Sequence, residues 1–154
     1  MTIQRSNVMH TLVDLAKQES KQAAERLSDA NKTLRDSEQN LTMLLEYRRD
    51  YTLQLTRNLE SGVHAENYQN FQGFLYKLDQ AISGQEKLVE SCKQNVTDQL
   101  KQWQACERKK LSYGVIIQHA ETKAMHAQQK KEQKLMDEHA TRQSMKNAGK
   151  SSIR

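Results

Sequence analysis

The residues of this chain whose types could bind a metal or act as nucleophiles are its histidines and its two cysteines. His119 and His126 stand seven apart with His139 further along, a spacing that can place two imidazoles on one helix face. Zinc sites gather several ligands at close, regular spacing, and no carboxylate or thiol recurs here at matching intervals. These histidines therefore read as polar helix surface. Cys92 and Cys106, fourteen residues apart, lack the close pairing of a zinc site and are too sparse for a disulfide framework. Both are expected to be reduced. No glycine-rich phosphate loop, zinc-binding helix motif or nucleophile elbow occurs, and a pair of long helices offers no concave pocket. Neither catalysis, nor a cofactor, nor a bound metal is expected.

Charge carries more information. From Arg108 to Arg154 there are eleven Lys/Arg against four acids, a net of +7, whereas the first 107 residues carry a net of −2. A lysine-rich arm neutralises phosphates and could bind nucleic acid. This arm has one aromatic for stacking, Tyr113, and its glutamates are interspersed. A solvated face, or a surface for an acidic protein, is the better reading. Broad apolar faces with bulky anchors, which membrane surfaces require, are missing from it.

The elements that position these residues follow from composition and period. The hydrophobic fraction is 36% with 28% charged residues, below the roughly 45–50% usual for a globular domain. Scattered apolar residues at that density would leave the chain disordered. They are periodic instead, and the remainder is rich in Leu, Ala, Gln, Glu, Lys and Arg, all good helix formers. Leu27, Leu34, Leu41, Arg48 and Leu55 are seven apart, with Ala23, Ala30, Ser37, Leu44 and Tyr51 as the companion series. A second seam runs Leu75, Ile82, Val89, Val96, Trp103, Lys110, Ile117, Ala124, beside Phe71, Leu78, Gln85, Cys92, Gln99, Cys106, Tyr113, Ala120, Ala127. Such heptads specify coiled-coil packing.

Between the seams, Leu59-Glu60-Ser61-Gly62-Val63-His64 is the strongest turn signal in a chain without proline. Folding about Gly62 and Val63 brings Leu55 near Asn70, Leu41 near Gly84 and Val8 near Ile117. The expected fold class is all-α, an antiparallel coiled-coil hairpin with a longer second helix. The expected organisation is one domain over 1–154, with helix 1 over 4–59, a turn over 60–65, helix 2 over 66–143 and a flexible basic tail over 144–154. Gly73, Gly84 and Gly114 each weaken a helix by about 1 kcal/mol relative to Ala, so packing is expected to compensate. A parallel homodimer of one continuous helix would have to carry Ser61-Gly62 and its phase break. A free monomer is therefore expected. No apolar run in the first twenty residues reaches signal-peptide or membrane-spanning length, which points to a cytoplasmic protein without membrane insertion.

Six of the eight aromatics fall between Leu41 and Ile82. A two-helix seam employs two positions per heptad, and Tyr47, Phe74 and Ala81 lie outside it. These surplus residues suggest an exposed apolar patch with aromatic anchors, the usual make-up of a protein-binding hot spot. A thicker core closing the turn is the competing reading.

The chain resembles the flagellar type III export protein family FliJ. The likeness runs through Leu12-Val13-Asp14-Leu15-Ala16, Leu41-Thr42-Met43-Leu44-Leu45-Glu46-Tyr47, Tyr51, Asn67-Tyr68-Gln69-Asn70-Phe71, Phe74, Leu78, Ala81-Ile82 and Lys134-Leu135-Met136-Asp137-Glu138. The resemblance implies a coiled coil similar to the rotor stalk of rotary ATPases. It further implies binding to and activation of the hexameric flagellar export ATPase, contact with the cytoplasmic domain of the export gate protein FlhA, and escort of export chaperones. The location it implies is cytoplasmic, peripheral at the inner face of the cell membrane through the export apparatus. Its gate-binding patch falls on Asn40, Leu44, Tyr47, Tyr51, Phe74, Leu78, Ala81 and Gln85, where Asn40 and Gln85 depart from the family's usual Gln and His. The terminal arm, with Lys123, Lys130, Lys131 and Lys134, would face the ATPase. A stalk protein of virulence type III secretion, or a basic coiled coil binding nucleic acid or a scaffold, are the alternatives.

Overall fold

The computed structural model describes residues 2–62 and 64–151, with side chains from Gln4 onward. Two helices, α1 (Thr2–Glu60) and α2 (Ala65–Ser151), pack against each other as an antiparallel hairpin. Among the described residues there is no strand, and no helix is long and apolar enough to cross a membrane. Contacts divide the chain into two compact units, Lys17–Arg108 and Met1–Ala16 with Lys109–Arg154.

The first of these holds the turn and the best-packed seam. Its α1 face buries Ser20, Ala23, Ala30, Ser37 and Leu55, with Leu27, Leu34, Leu41, Leu44 and Tyr51 half-buried among them. Its α2 face carries Leu78, Ile82 and Val89 as buried residues, while Leu75, Val96 and Trp103 are half-buried. Small and large side chains alternate along α1, and interdigitation of unequal side chains is what lets a two-helix seam pack closely. Apart from Glu107, every half-buried or buried residue of α2 in this unit belongs to the two heptad series.

Polar seam positions are paired across the helices. Arg48 donates to the Asp79 carboxylate, Gln85 Nε2 donates to the Ser37 carbonyl at 2.9 Å, and Ser20 Oγ donates to the Glu107 carboxylate. These pairs agree with reversal near Gly62. Among the described residues, Gln99 Oε1 is buried without a hydrogen bond, while its Nε2 donates to Asn95 Oδ1 at 3.3 Å.

The chain leaves α1 through Ser61 and Gly62. Ser61 N donates to the Arg57 carbonyl at 3.2 Å and Gly62 N to the Leu59 carbonyl at 3.4 Å. Gly62 sits at φ 83°, the left-handed helix cap that glycine adopts without a Cβ penalty. The His64 carbonyl then accepts the Tyr68 N–H at 3.1 Å, opening α2. Val63, also placed in the turn by the sequence, lies outside the described residues.

In the second unit, Ala16 is buried and Met9, Leu12, Val13, Lys110, Tyr113 and Ile117 are half-buried. From Gln118 onward every described residue of α2 is exposed, although the heptad continues through Ala120, Ala124 and Ala127.

Two expectations are corrected here. The helix does not give way to a flexible tail at Ser144 but continues to Ser151, because helical hydrogen bonds are local and Ala148 and Lys146 are good helix formers; residues 152–154 lie outside the described ones. Nor does packing compensate for the helical glycines. A Cβ built on Gly73, Gly84 or Gly114 meets nothing within 4 Å, so all three stand at open surface positions.

Candidate docking site beside the turn

The heptad determines which aromatics must be buried and which have nowhere to go. Tyr51 and Phe71 are seam positions and both are half-buried. Their rings lie 5.1 Å apart, and Tyr51 also packs on Phe74 with centroids 4.5 Å apart. Tyr47 and Phe74 occupy the edge of the seam, one position before a heptad residue on each helix. They meet edge to face at 6.2 Å and 65°, an arrangement favoured by the quadrupoles of the two rings. Their outer surfaces remain open, Tyr47 being 55% exposed and Phe74 38%. The cluster therefore divides by depth. Tyr51 and Phe71 thicken the core near the turn, while Tyr47 and Phe74 form an apolar surface on top of it.

The other patch residues separate in the same way. Ala81 and Asn40 are exposed, Leu44 is half-buried, and Leu78 at 7% exposure is a core residue. Leu78 supports the surface from below. Gln85 is half-buried with its amide committed to Ser37. The structure thus brings Tyr47, Tyr51 and Phe74 into one ring cluster. Sequence reasoning did not single out Leu88, 50% exposed, or Met43, 65% exposed. The seven-residue steps from Phe74 through Ala81 to Leu88 were the available signal.

On the other side of the seam near the site, the hydrogen bond and charge of Asp79 raise the Arg48 pKa above the ordinary arginine value, against a small opposing effect of burial. An arginine with a raised pKa contributes its interaction throughout the range below its unfolded value, and loses it only as pH rises through the folded one. Titration of Arg48 accordingly does not enter near neutral pH.

Lys123, Lys130, Lys131 and Lys134 are all exposed on α2. Steps of seven and four residues align Lys123, Lys130 and Lys134 along one face, with Lys131 to its side. His119, His126 and His139 are exposed too, and the described residues contain no cluster of potential metal ligands. Cys92 and Cys106 are free thiols, half-buried in the seam, where a thiol behaves as a small hydrophobe.

Comparison with known proteins adds a likeness over most of the chain. Residues 6–149 match the profile of a family described as "Flagellar FliJ protein". The flagellar FliJ protein of Escherichia coli strain K12 is 28% identical over 136 residues, spanning 88% of this chain and 92% of its own length. That of Salmonella typhi is 28% identical over 138 residues, spanning 90% of this chain and 94% of its own.

Proposed function

The chain belongs to the flagellar FliJ family and is thereby a component of the flagellar protein-export apparatus, and on that premise we propose that it works there as a non-catalytic docking stalk. One end of the hairpin, carrying Tyr47, Tyr51 and Phe74, binds the cytoplasmic domain of the export gate FlhA. The basic part of α2, with Lys123, Lys130, Lys131 and Lys134, engages the hexameric export ATPase and promotes its activity. Export chaperones are further clients, and the protein acts at the cytoplasmic face of the membrane through these partners rather than by insertion.

The observation that carries the gate-docking reading is the half-exposed ring pair Tyr47–Phe74. Apolar rings held rigidly by a packed layer beneath them lose little conformational freedom on binding, which is what makes aromatic residues effective hot spots. For the ATPase-facing reading, the support is an exposed cationic face well removed in sequence from the rings. Lysines on an open helix steer an acidic partner at long range and raise its association rate.

The direct test is a pulldown of the purified full-length chain with the purified export ATPase and, separately, with the gate's cytoplasmic domain. Capture of both supports the division of labour. Failure to retain either one removes that half of the reading.

A further inference from the structure

The apolar surface beside Tyr47 does not stop at the residues already named. Phe74, Ala81 and Leu88 follow one another at seven-residue steps, so they share a single edge of α2 next to the seam. On α1, Tyr47, Asn40 and Thr33 form the corresponding edge at the same spacing. The Tyr47–Phe74 ring contact places the two edges on one side of the hairpin. Because the helices are antiparallel, one heptad back along α1 matches one heptad forward along α2. The edges therefore continue as Asn40 beside Ala81 and Thr33 beside Leu88. None of these six side chains is charged, and all are exposed.

The relief of this strip is uneven. Phe74 and Leu88 stand up at its two ends, 38% and 50% exposed. Between them lies Ala81, and Gly84, three residues after Ala81 and four before Leu88, is its neighbour on the helix surface. A Cβ at Gly84 would meet nothing within 4 Å. The middle of the strip is thus a hollow floored by a methyl group and bare backbone, with Phe74 about 10 Å before Ala81 and Leu88 about 6 Å after Gly84 along the helix. Glycine there weakens the helix, and no contact within the chain offsets the loss.

The border carried by α1 is acidic. Asp29, Asp36 and Asp50 stand at heptad steps in the row next to Thr33, Asn40 and Tyr47, with exposed Met43 in the same row. Among the described residues, none of these three carboxylates forms an ion pair. The α2 border holds Lys77, Gly84 and Ser91.

We infer that this strip receives one amphipathic helix of the docking partner as a third member of the coil. The hollow between Phe74 and Leu88 takes a bulky aliphatic or aromatic side chain of that helix as a knob. Heptad spacing on both sides sets the partner's apolar repeat. Lysines or arginines along the partner's edge above α1 meet Asp29, Asp36 and Asp50. Leu88, Gly84 and the aspartate row then determine which helix fits, because a helix with acidic edges or with small residues at the knob position gains nothing there. This inference rests on the gate-docking reading above and specifies its geometry.

The experiment measures affinity of the full-length chain for the gate's cytoplasmic domain alongside thermal unfolding. Leu88→Ser is expected to weaken binding by about tenfold or more. Gly84→Leu fills the hollow and is expected to weaken binding similarly while leaving the unfolding temperature equal or higher. Gly73→Leu, on the surface opposite the seam, gives the same helix benefit and is expected to bind as wild type. Changing Asp29, Asp36 and Asp50 together to Asn should lower affinity at low salt and flatten its salt dependence. Loss of binding in Tyr47→Ala/Phe74→Ala with wild-type affinity in Leu88→Ser and Gly84→Leu overturns the helix-in-groove inference and leaves gate docking standing. Wild-type affinity in all of these variants overturns both.

Discussion

The Tyr47 ring meets Phe74 edge to face across the hairpin, yet more than half of the Tyr47 side remains open to solvent. Beneath them Tyr51 touches both Phe71 and Phe74. Four rings thus form two levels, one that holds the helices together and one that is presented outward. On the proposed docking role, substitutions at the two levels should act differently.

Tyr47→Ala combined with Phe74→Ala is expected to abolish gate binding while helicity by circular dichroism is unchanged. Its stability loss combines about 0.5–1.5 kcal/mol for each of the two ring contacts removed, Tyr47–Phe74 and Tyr51–Phe74, with the buried part of both side chains. Tyr51→Ala should cost about 3 kcal/mol, because it leaves a gap in a packed layer. Denaturant melts of the two variants compare the levels. A loss of helicity or of cooperative unfolding in the double variant would make the outer rings core residues.

Glycine substitutions should move stability in opposite directions. Gly62 holds a left-handed backbone, so Gly62→Ala is expected to cost about 1–2 kcal/mol. Gly73 is helical with open space around it, and Gly73→Ala should gain up to about 1 kcal/mol. Chemical denaturation measures both.

Replacing Gln99 by Leu removes a buried acceptor with no partner and adds apolar contact, so about 1–3 kcal/mol of stabilisation is expected. Arg48→Leu also restores an apolar heptad position, at the loss of an ion pair whose two side chains are about half exposed. Exposed pairs contribute little. Its melting temperature should rise, and a fall would show that the Arg48–Asp79 pair holds the register.

Changing Lys130, Lys131 and Lys134 together to Glu is expected to weaken stimulation of the export ATPase and to spare gate binding. An ATPase titration with wild-type and variant chain checks it. Identical curves would remove the basic face from the mechanism.

The sequence by itself determined the helices and their seam. Leu75, Ile82 and Val89 at seven-residue steps face a partner in any arrangement that buries them, and Ser61-Gly62 supplies the one break at which the chain can reverse. It also marked Tyr47, Phe74 and Ala81 as lying outside that seam, since position in a heptad is arithmetic. What it left open was depth. Whether a ring at the edge of a seam is covered depends on what stands across from it on the other helix, and that is a matter of tertiary register. Only the folded structure showed how far each edge ring is covered, Phe74, packed on Tyr51, at 38% exposure and Tyr47 at 55%. The same holds for the glycines: their cost to the helix is local and legible, but that Gly84 stays uncovered after the two helices pair is decided by the tertiary structure.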